Sequence, residues 1–531
     1  MKMKPFDEHG EFCLTQDGGG LRRVAVRGAG ITALSQGLCF AFQMIATVIL
    51  ARLLMPADFG LVAIVTTFSL LLMNAGFNGI TETVVQREQL DHGLASNLFW
   101  ITVGVGLVLT ISFAAAGTLL ARVYGDPRVA PVAAVLSATI FLSSASVMHL
   151  ALLKRGLRFS VVSANDLVAR ATAVAVSIVL GVAGWGYWAL VAGAVALPLA
   201  TALGAWIRCS WIPGAPRRAP GTGQMIRFAM NTYGHFAANY CTRNLDNFLV
   251  GWFFGPASLG FYKKAYDLCV LPVAQLSDPL NSVGMPVLSR LRDNPEQYRR
   301  YALRALSTLA FVGMALGAGL ALSGSDLILI VLGPRWDESG KIFTFFAPGI
   351  GAMLLYLAYS WIHLSLGRAD RLLRWGIVEF AVIGLLFVIG LRWGPVGVAM
   401  AWVVSSWTLA VPALWYAGRP AELRIAAIVG AVWKYVVASA LAGGTVAIVL
   451  RQMPSLRSAP GWLGAVDRSV TASVLFAALY LGAVVVLHGS CDPLRQIAAL
   501  VRDMLPWRGA GSRSGHIAPG ASGATVIGTS G

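Results

Sequence analysis

Long apolar runs recur along almost the whole chain, and nothing else in it constrains the fold as strongly. A helix needs about 20 apolar residues to cross the hydrocarbon core of a bilayer. About fourteen stretches come close to that length: 28–54, 59–80, 94–120, 129–152, 161–183, 186–208, 225–254, 258–286, 301–323, 340–365, 372–391, 394–417, 423–450 and 467–488. In lipid every backbone N–H and C=O must be satisfied internally, so only helices and closed barrels can span. These runs are two to three times too long for barrel strands. The sequence therefore predicts an all-α integral membrane protein. Charged residues make up 12% of the 531 residues, against about 25% in a soluble domain. A net charge of +17 would point to nucleic acid in a soluble chain. Here the arginines and lysines sit mostly in short loops, where they set topology.

Taken alternately, those loops concentrate Lys and Arg on one side: Arg22, Arg23 and Arg27, then Lys154, Arg155 and Arg158, then Arg290, Arg292, Arg299 and Arg300. The positive-inside rule makes that side cytoplasmic and puts both termini there. The first run is too long for a signal-peptide core and is expected to remain as a span. The Gly/Ser-rich tail from about 508 to 531 is expected to be disordered.

The two halves of the chain resemble each other. Pro56-Ala57-Asp58-Phe59-Gly60 recurs as Pro256-Ala257-Ser258-Leu259-Gly260, and Val123-Tyr124-Gly125-Asp126-Pro127-Arg128 as Val331-Leu332-Gly333-Pro334-Arg335. His149-Leu150 is matched by His363-Leu364 and Trp185-Gly186 by Trp393-Gly394, in the same order. Six spans per repeat give both repeats one orientation, so a pseudo-twofold axis along the membrane normal should relate two six-helix lobes. The expected division is an N-terminal segment 1–26, an N-lobe 27–208, an inter-lobe loop 209–224, a C-lobe 225–418, two extra C-terminal helices within 419–488, and a tail 489–531.

Within the seventh run, Asn231, His235, Asn239, Thr242, Arg243 and Asp246 fall within about a third of the helix circumference. Ionisable groups at membrane depth are costly and face a bundle interior or a water-filled cavity. Arg243 is either a cationic contact for an anionic group, suited to phosphate, or the i,i+3 partner of Asp246. Lys263, Lys264 and Asp267 follow on the eighth run, where a lysine faces the lumen or snorkels to the interface. Arg52 at the end of the first run has the same two readings. Gln43, on that run, extends the polar surface into the first half. The six cysteines have no CxxC or ligand spacing, so they give no metal site. No P-loop and no HExxH motif is present. No catalytic residue and no cofactor is expected, and transport rather than catalysis is the default. A lumen of amides and cationic groups suits a large polar molecule carrying an anionic group, and a lipid-linked glycan fits that description.

Four segments, ARLLMPADFGLVAI, VVQREQLDHGLASNLFWITV, RNLDNFLVGWFFGPASLGFYKKAY and VLGPRW, together resemble the polysaccharide transport branch of the MOP flippase superfamily. The resemblance covers about residues 25–420. It implies two six-helix lobes around a central, often cationic cavity that opens alternately to either side. It also implies movement of undecaprenyl-diphosphate-linked sugar units from the cytoplasmic to the periplasmic leaflet of the bacterial inner membrane, for exopolysaccharide or lipopolysaccharide assembly. The implied partners are the lipid-linked oligosaccharide, membrane lipids, and the polysaccharide polymerase and chain-length proteins, with no nucleic acid. The span-7 pattern is intact as Asn244-Leu245-Asp246-Asn247 through Gly251, but Trp252 stands where relatives often carry a basic residue. A lipid II flippase and a cation-coupled multidrug antiporter are the alternatives. The antiporter lacks the span-1 carboxylate it would use, since none lies between Gly28 and Leu54.

Overall fold

The computed structural model describes residues 21–74, 90–216, 222–453 and 461–495, with isolated positions in 3–12, at 81–87 and at 499. The tail from 508 lies outside the described residues. The described chain is helical: α1 (Leu21–Leu53), α2 (Pro56–Met73), α3 (His92–Tyr124), α4 (Val129–Arg155), α5 (Phe159–Val182), α6 (Tyr187–Arg208), α7 (Thr222–Arg290) and α8 (Pro295–Val331). There follow α9 (Asp337–Phe346), α10 (Gly349–Ser365), α11 (Ala369–Gly390), α12 (Gly394–Gly418), α13 (Ile425–Arg451) and α14 (Gly461–His488).

Local chemistry sets several of the boundaries. Asp91 caps α3 by accepting from the Leu94 amide at 2.9 Å, and Gly125 ends that helix in the left-handed region. Pro56 and Pro295 stand in the first turns of α2 and α8, where a missing N–H costs nothing. α7 carries both the seventh and the eighth expected spans. Its two arms meet at Gly255, whose φ of 79° is open to glycine and strained for any other residue.

Among the described residues ten stretches are long and apolar enough to cross a membrane, with the run through α11 and α12 (Asp370–Ala421) taken as one, or eleven when the bent pair of α9 and α10 counts as one span. The expected fourteen are therefore not all reached by that standard. α7 is not among the ten, because its polar residues dilute both runs.

The packing repeats. α3 lies on α4, α5 on α6, and α4 on both α2 and α6. In the second half α8 lies on α9 and α10, α11 on α12, and α10 on both the second arm of α7 and α12. α13 and α14 pack on α8 and on each other, outside this repeated pattern. One core cluster runs through both halves, from Ala51, Leu61 and Val132 to Tyr262, Trp336 and Phe346. A second gathers α8, α10, α12, α13 and α14, and a third gathers the ends of α3, α4 and α6 around Met148 and Trp211.

Candidate functional site: the seam between the repeats

The two copies of the repeated turn cross each other. A Cβ added to Gly60 would land on the carbonyl oxygen of Pro256, and one added to Gly260 would land on that of Pro56. Only glycine lets two backbones approach this closely. The flanking contacts are reciprocal too. Trp336, fully buried, donates from Nε1 to the Ala51 carbonyl at 2.9 Å, so the end of α1 rests on the segment before α9. A Cβ on Gly251 would sit 3.1 Å from the Tyr124 ring, so the end of α7's first arm rests on the last turn of α3. Arg52 adds a hydrogen bond to the Ile330 carbonyl at 3.0 Å. This end of the seam is closed by backbone and aromatic packing.

Just inside that closure lies a polar layer. Tyr262, on the second arm of α7, donates its hydroxyl to Asp246 Oδ2 on the first arm at 2.9 Å, and both residues are buried. Asp246 Oδ1 accepts from the Asn247 amide at 2.7 Å, and Asn247 Nδ2 donates to Asn244 Oδ1 at 3.2 Å. Asp246 is therefore satisfied across the bend and not by Arg243. On the second arm Lys263 pairs with Asp267 at i,i+4, while the Lys264 ammonium lies over the Phe59 ring, 4.4 Å from its centre. The Lys264 contact is a cation–π interaction reaching into the other repeat.

Further along the first arm the stripe opens. Asn239 and Arg243, one turn apart, are exposed, and Arg243 makes no hydrogen bond or ion pair to a described residue. It lies close enough to Glu379 on α11 and to Tyr266 to interact electrostatically with both. Gln43 on α1 is exposed as well. The side chains of Asn231 and His235 lie outside the described residues. The first arm is held to α2 by Tyr240, which donates to the Thr67 carbonyl at 2.9 Å, and by Tyr233, which donates to that of Leu71 at 3.2 Å. Its beginning, at Met225 and Ala229, packs in the cluster around Met148 and Trp211, whereas the end of the second arm, at Leu288, packs in the cluster of α8 and α10. The arms meet at the bend and part into different lobes at their far ends.

Sequence reasoning missed Tyr262, Glu379 and Phe59. Glu379 had a legible signal, a lone acid in the apolar stretch WGIVEFAVIG. Tyr262 and Phe59 had none, because a buried aromatic in an apolar run reads as core. Among the described residues no cluster of His, Cys, Asp or Glu could hold a metal ion.

A family profile described as "Polysaccharide biosynthesis protein" matches residues 49–341. The chain is 22% identical over 324 residues to the lipopolysaccharide biosynthesis protein WzxC of Escherichia coli, covering 60% of this chain and 65% of the relative. It is 21% identical over 390 residues to the succinoglycan biosynthesis transport protein ExoT of Rhizobium meliloti, covering 73% of this chain and 79% of that one. Among solved structures, the lipid II flippase MurJ in an inward closed conformation superposes with a TM-score of 0.65 at 13% identity, covering 86% of this chain and 99% of its own. An inward-facing multidrug resistance transporter of the MATE family, from the MOP superfamily, superposes with a TM-score of 0.57 at 13% identity, covering 73% and 94%. At such identities the structural likeness concerns the fold.

Proposed function

Because the chain belongs to the polysaccharide biosynthesis protein family, matched over more than half its length, we propose that it flips an undecaprenyl-diphosphate-linked oligosaccharide from the cytoplasmic to the periplasmic leaflet of the inner membrane, for exopolysaccharide or lipopolysaccharide assembly. The observation that carries this reading is Arg243, exposed beside Asn239 on α7's first arm and inside a seam closed at the Gly255 end. An exposed guanidinium at membrane depth calls for water or an anion rather than acyl chains, and its planar fork matches a phosphate. Each sugar hydroxyl would cost roughly 2–7 kcal/mol in hydrocarbon without a partner, so a multi-sugar head needs a polar path. An anionic head also moves outward with an inside-negative potential, worth about 2.3 kcal/mol per charge per 100 mV. In this reading the closed end faces the periplasm, both termini face the cytoplasm, and the lobes rock about the crossing at Gly60 and Gly260. The polymerase and chain-length proteins would take up the flipped unit on the far side.

The test is deletion of the gene, followed by mass spectrometry of the lipid-linked sugar pool and complementation with Arg243→Ala. The deletion should accumulate lipid-linked repeat units and stop polymer export. Arg243→Ala should express and fold as wild type, because its side chain bonds to no described residue, yet fail to restore export. Full restoration would remove Arg243 from the substrate path, and an unchanged sugar pool in the deletion would remove the transport reading.

A further inference from the structure

The two helices outside the repeat build a site of their own. At the end of α14 a cavity of about 390 Å³ lies between α8, α13 and the residues after His488, and Arg300, Arg304, Ser307, Tyr435, His488 and Asp492 contribute to its walls. Arg300 reaches Glu296 only at 3.5 Å, with both side chains largely exposed, and Arg304 has no ion pair among the described residues. Ser307 and Tyr435 share a hydroxyl–hydroxyl bond of 2.9 Å. His488 lies with Nδ1 2.9 Å from the Val484 carbonyl, which leaves Nε2 as its other polar atom.

The depth of the cavity follows from the helices themselves. Toward the other end of α8, Asp326 is held by Arg468 of α14 in a two-pronged pair, with an Nη2–Oδ1 distance of 2.6 Å and an Nε–Oδ2 distance of 3.2 Å. At 1.5 Å per residue, Arg304 and Asp326 are about 33 Å apart along α8, and Arg468 and His488 about 30 Å apart along α14. Both spans match the thickness of a hydrocarbon core, about 30 Å. The stretch of α8 between them, ALSTLAFVGMALGAGLALSGS, carries no charge. The ion pair thus marks one face of the bilayer, and the cavity lies at headgroup level on the other.

We propose that this cavity binds the phosphodiester of an anionic phospholipid, with the Arg300 and Arg304 guanidiniums as its forks and His488 and the Ser307–Tyr435 hydroxyls as further partners. Basic pockets between helices at the membrane surface take such headgroups. Asp492 at the same wall opposes a doubly charged phosphate and favours the single charge of a diester. The acyl chains would lie along the exposed apolar flanks of α13 and α14, where Leu441, Leu479 and Val486 face outward. The proposal rests on the chain spanning a membrane and is independent of what the seam transports.

The test is native mass spectrometry of the full chain purified in detergent and offered equal phosphatidylglycerol and phosphatidylcholine. Wild type should retain phosphatidylglycerol about tenfold better. The double variant Arg300→Gln/Arg304→Gln should bring the two lipids to parity, and His488→Gln, a milder change, should weaken the preference. Arg374→Gln, which removes an exposed arginine of α11 from another surface, should leave it intact. Parity in wild type would overturn the proposal, as would an unchanged preference in the double variant or an equal loss in Arg374→Gln. Displacement of the lipid by millimolar inorganic phosphate would show a site for a soluble anion, and the lipid assignment would fall.

Discussion

α1 and the first arm of α7 occupy equivalent places in the two repeats, yet they are held in opposite ways. At the 200-residue offset of the repeated turn, Gln43 stands for Arg243, Ala46 for Asp246, Arg52 for Trp252 and Val62 for Tyr262. α1 stays with its own lobe: Ser35 donates to the Ser163 carbonyl of α5 at 3.0 Å, and Ala46 and Leu50 pack against Val174 and Ile178. The first arm of α7 packs only lightly on its counterpart α11 and lies instead along α2 of the other lobe, strapped there by Tyr233 and Tyr240. Gln43 and Arg243 are nevertheless both exposed. The duplicated architecture keeps one polar position open on each side and ties up the helices around it differently, so one half of the seam is fixed to its lobe and the other bridges both.

The sharpest way to break this comparison is at the crossing itself, where the two repeats are most alike. Gly60→Val and Gly260→Val should each cost about 3 kcal/mol or keep this end of the seam from closing, because a Cβ has no room against the opposite carbonyl. Thermal unfolding of the purified chain, with thiol labelling from the outer face, would measure both effects. Equal damage from the two substitutions supports a true reciprocal contact. Damage from only one would mean that one backbone carries the closure.

The polar layer beneath the crossing is where the repeats differ most. Tyr262→Phe removes the hydroxyl that satisfies buried Asp246 and should cost about 1–3 kcal/mol, while Val62→Ala at the equivalent position removes only partly buried apolar surface and should cost less. Denaturation of both variants checks the order, and a smaller loss at Tyr262 would mean that Asp246 has another partner.

That layer also marks the limit of what the chain discloses before it folds. Apolar length and backbone satisfaction alone dictate helices at membrane depth, and the repeated turns disclose the duplication. Asn239 and Arg243 could be placed on an open face because their period matches a helix and their burial would be too costly. The partner of Asp246 could not be found that way. Helical spacing offers Arg243 three residues before it, whereas the partner observed comes from beyond Gly255, across a bend whose angle no periodicity encodes. The closure at Trp336 and Ala51 is hidden for the same reason, since its two sides lie 285 residues apart.

Arg52 and Trp252 give a smaller and more selective difference. Arg52 spans the closure with one exposed hydrogen bond to Ile330, so Arg52→Ala should cost about 1 kcal/mol. Trp252 is 49% exposed, lies in tilted contact with the rings of Phe248 and Phe253, and makes no hydrogen bond to the other lobe among the described residues. Trp252→Arg should therefore change stability little unless the new side chain finds a carbonyl on the segment after α3. A stabilised Trp252→Arg variant would show that the second latch is available and merely unused.

The smallest effect belongs to the two repeated loops beside those helix ends. After α3, Asp126 accepts from Arg128 through Nε and Nη2, the latter at 2.8 Å, while the matching loop before α9 has no such pair among the described residues and relies on buried Trp336. The Arg128 guanidinium holds the Asp126 carboxyl below the usual carboxylate range. A carboxyl whose pKa is lower folded than unfolded adds stability that is fully present above the unfolded value, about 3.9, and is lost as pH falls through the folded one. Because Arg128 is 46% exposed, solvent screening limits the gain to about 0.5 kcal/mol. Asp126→Asn should erase that acid-side dependence and cost that same ~0.5 kcal/mol at pH 7. A larger loss at neutral pH would mean that the loop after α3, like the one before α9, carries part of the closure between the lobes.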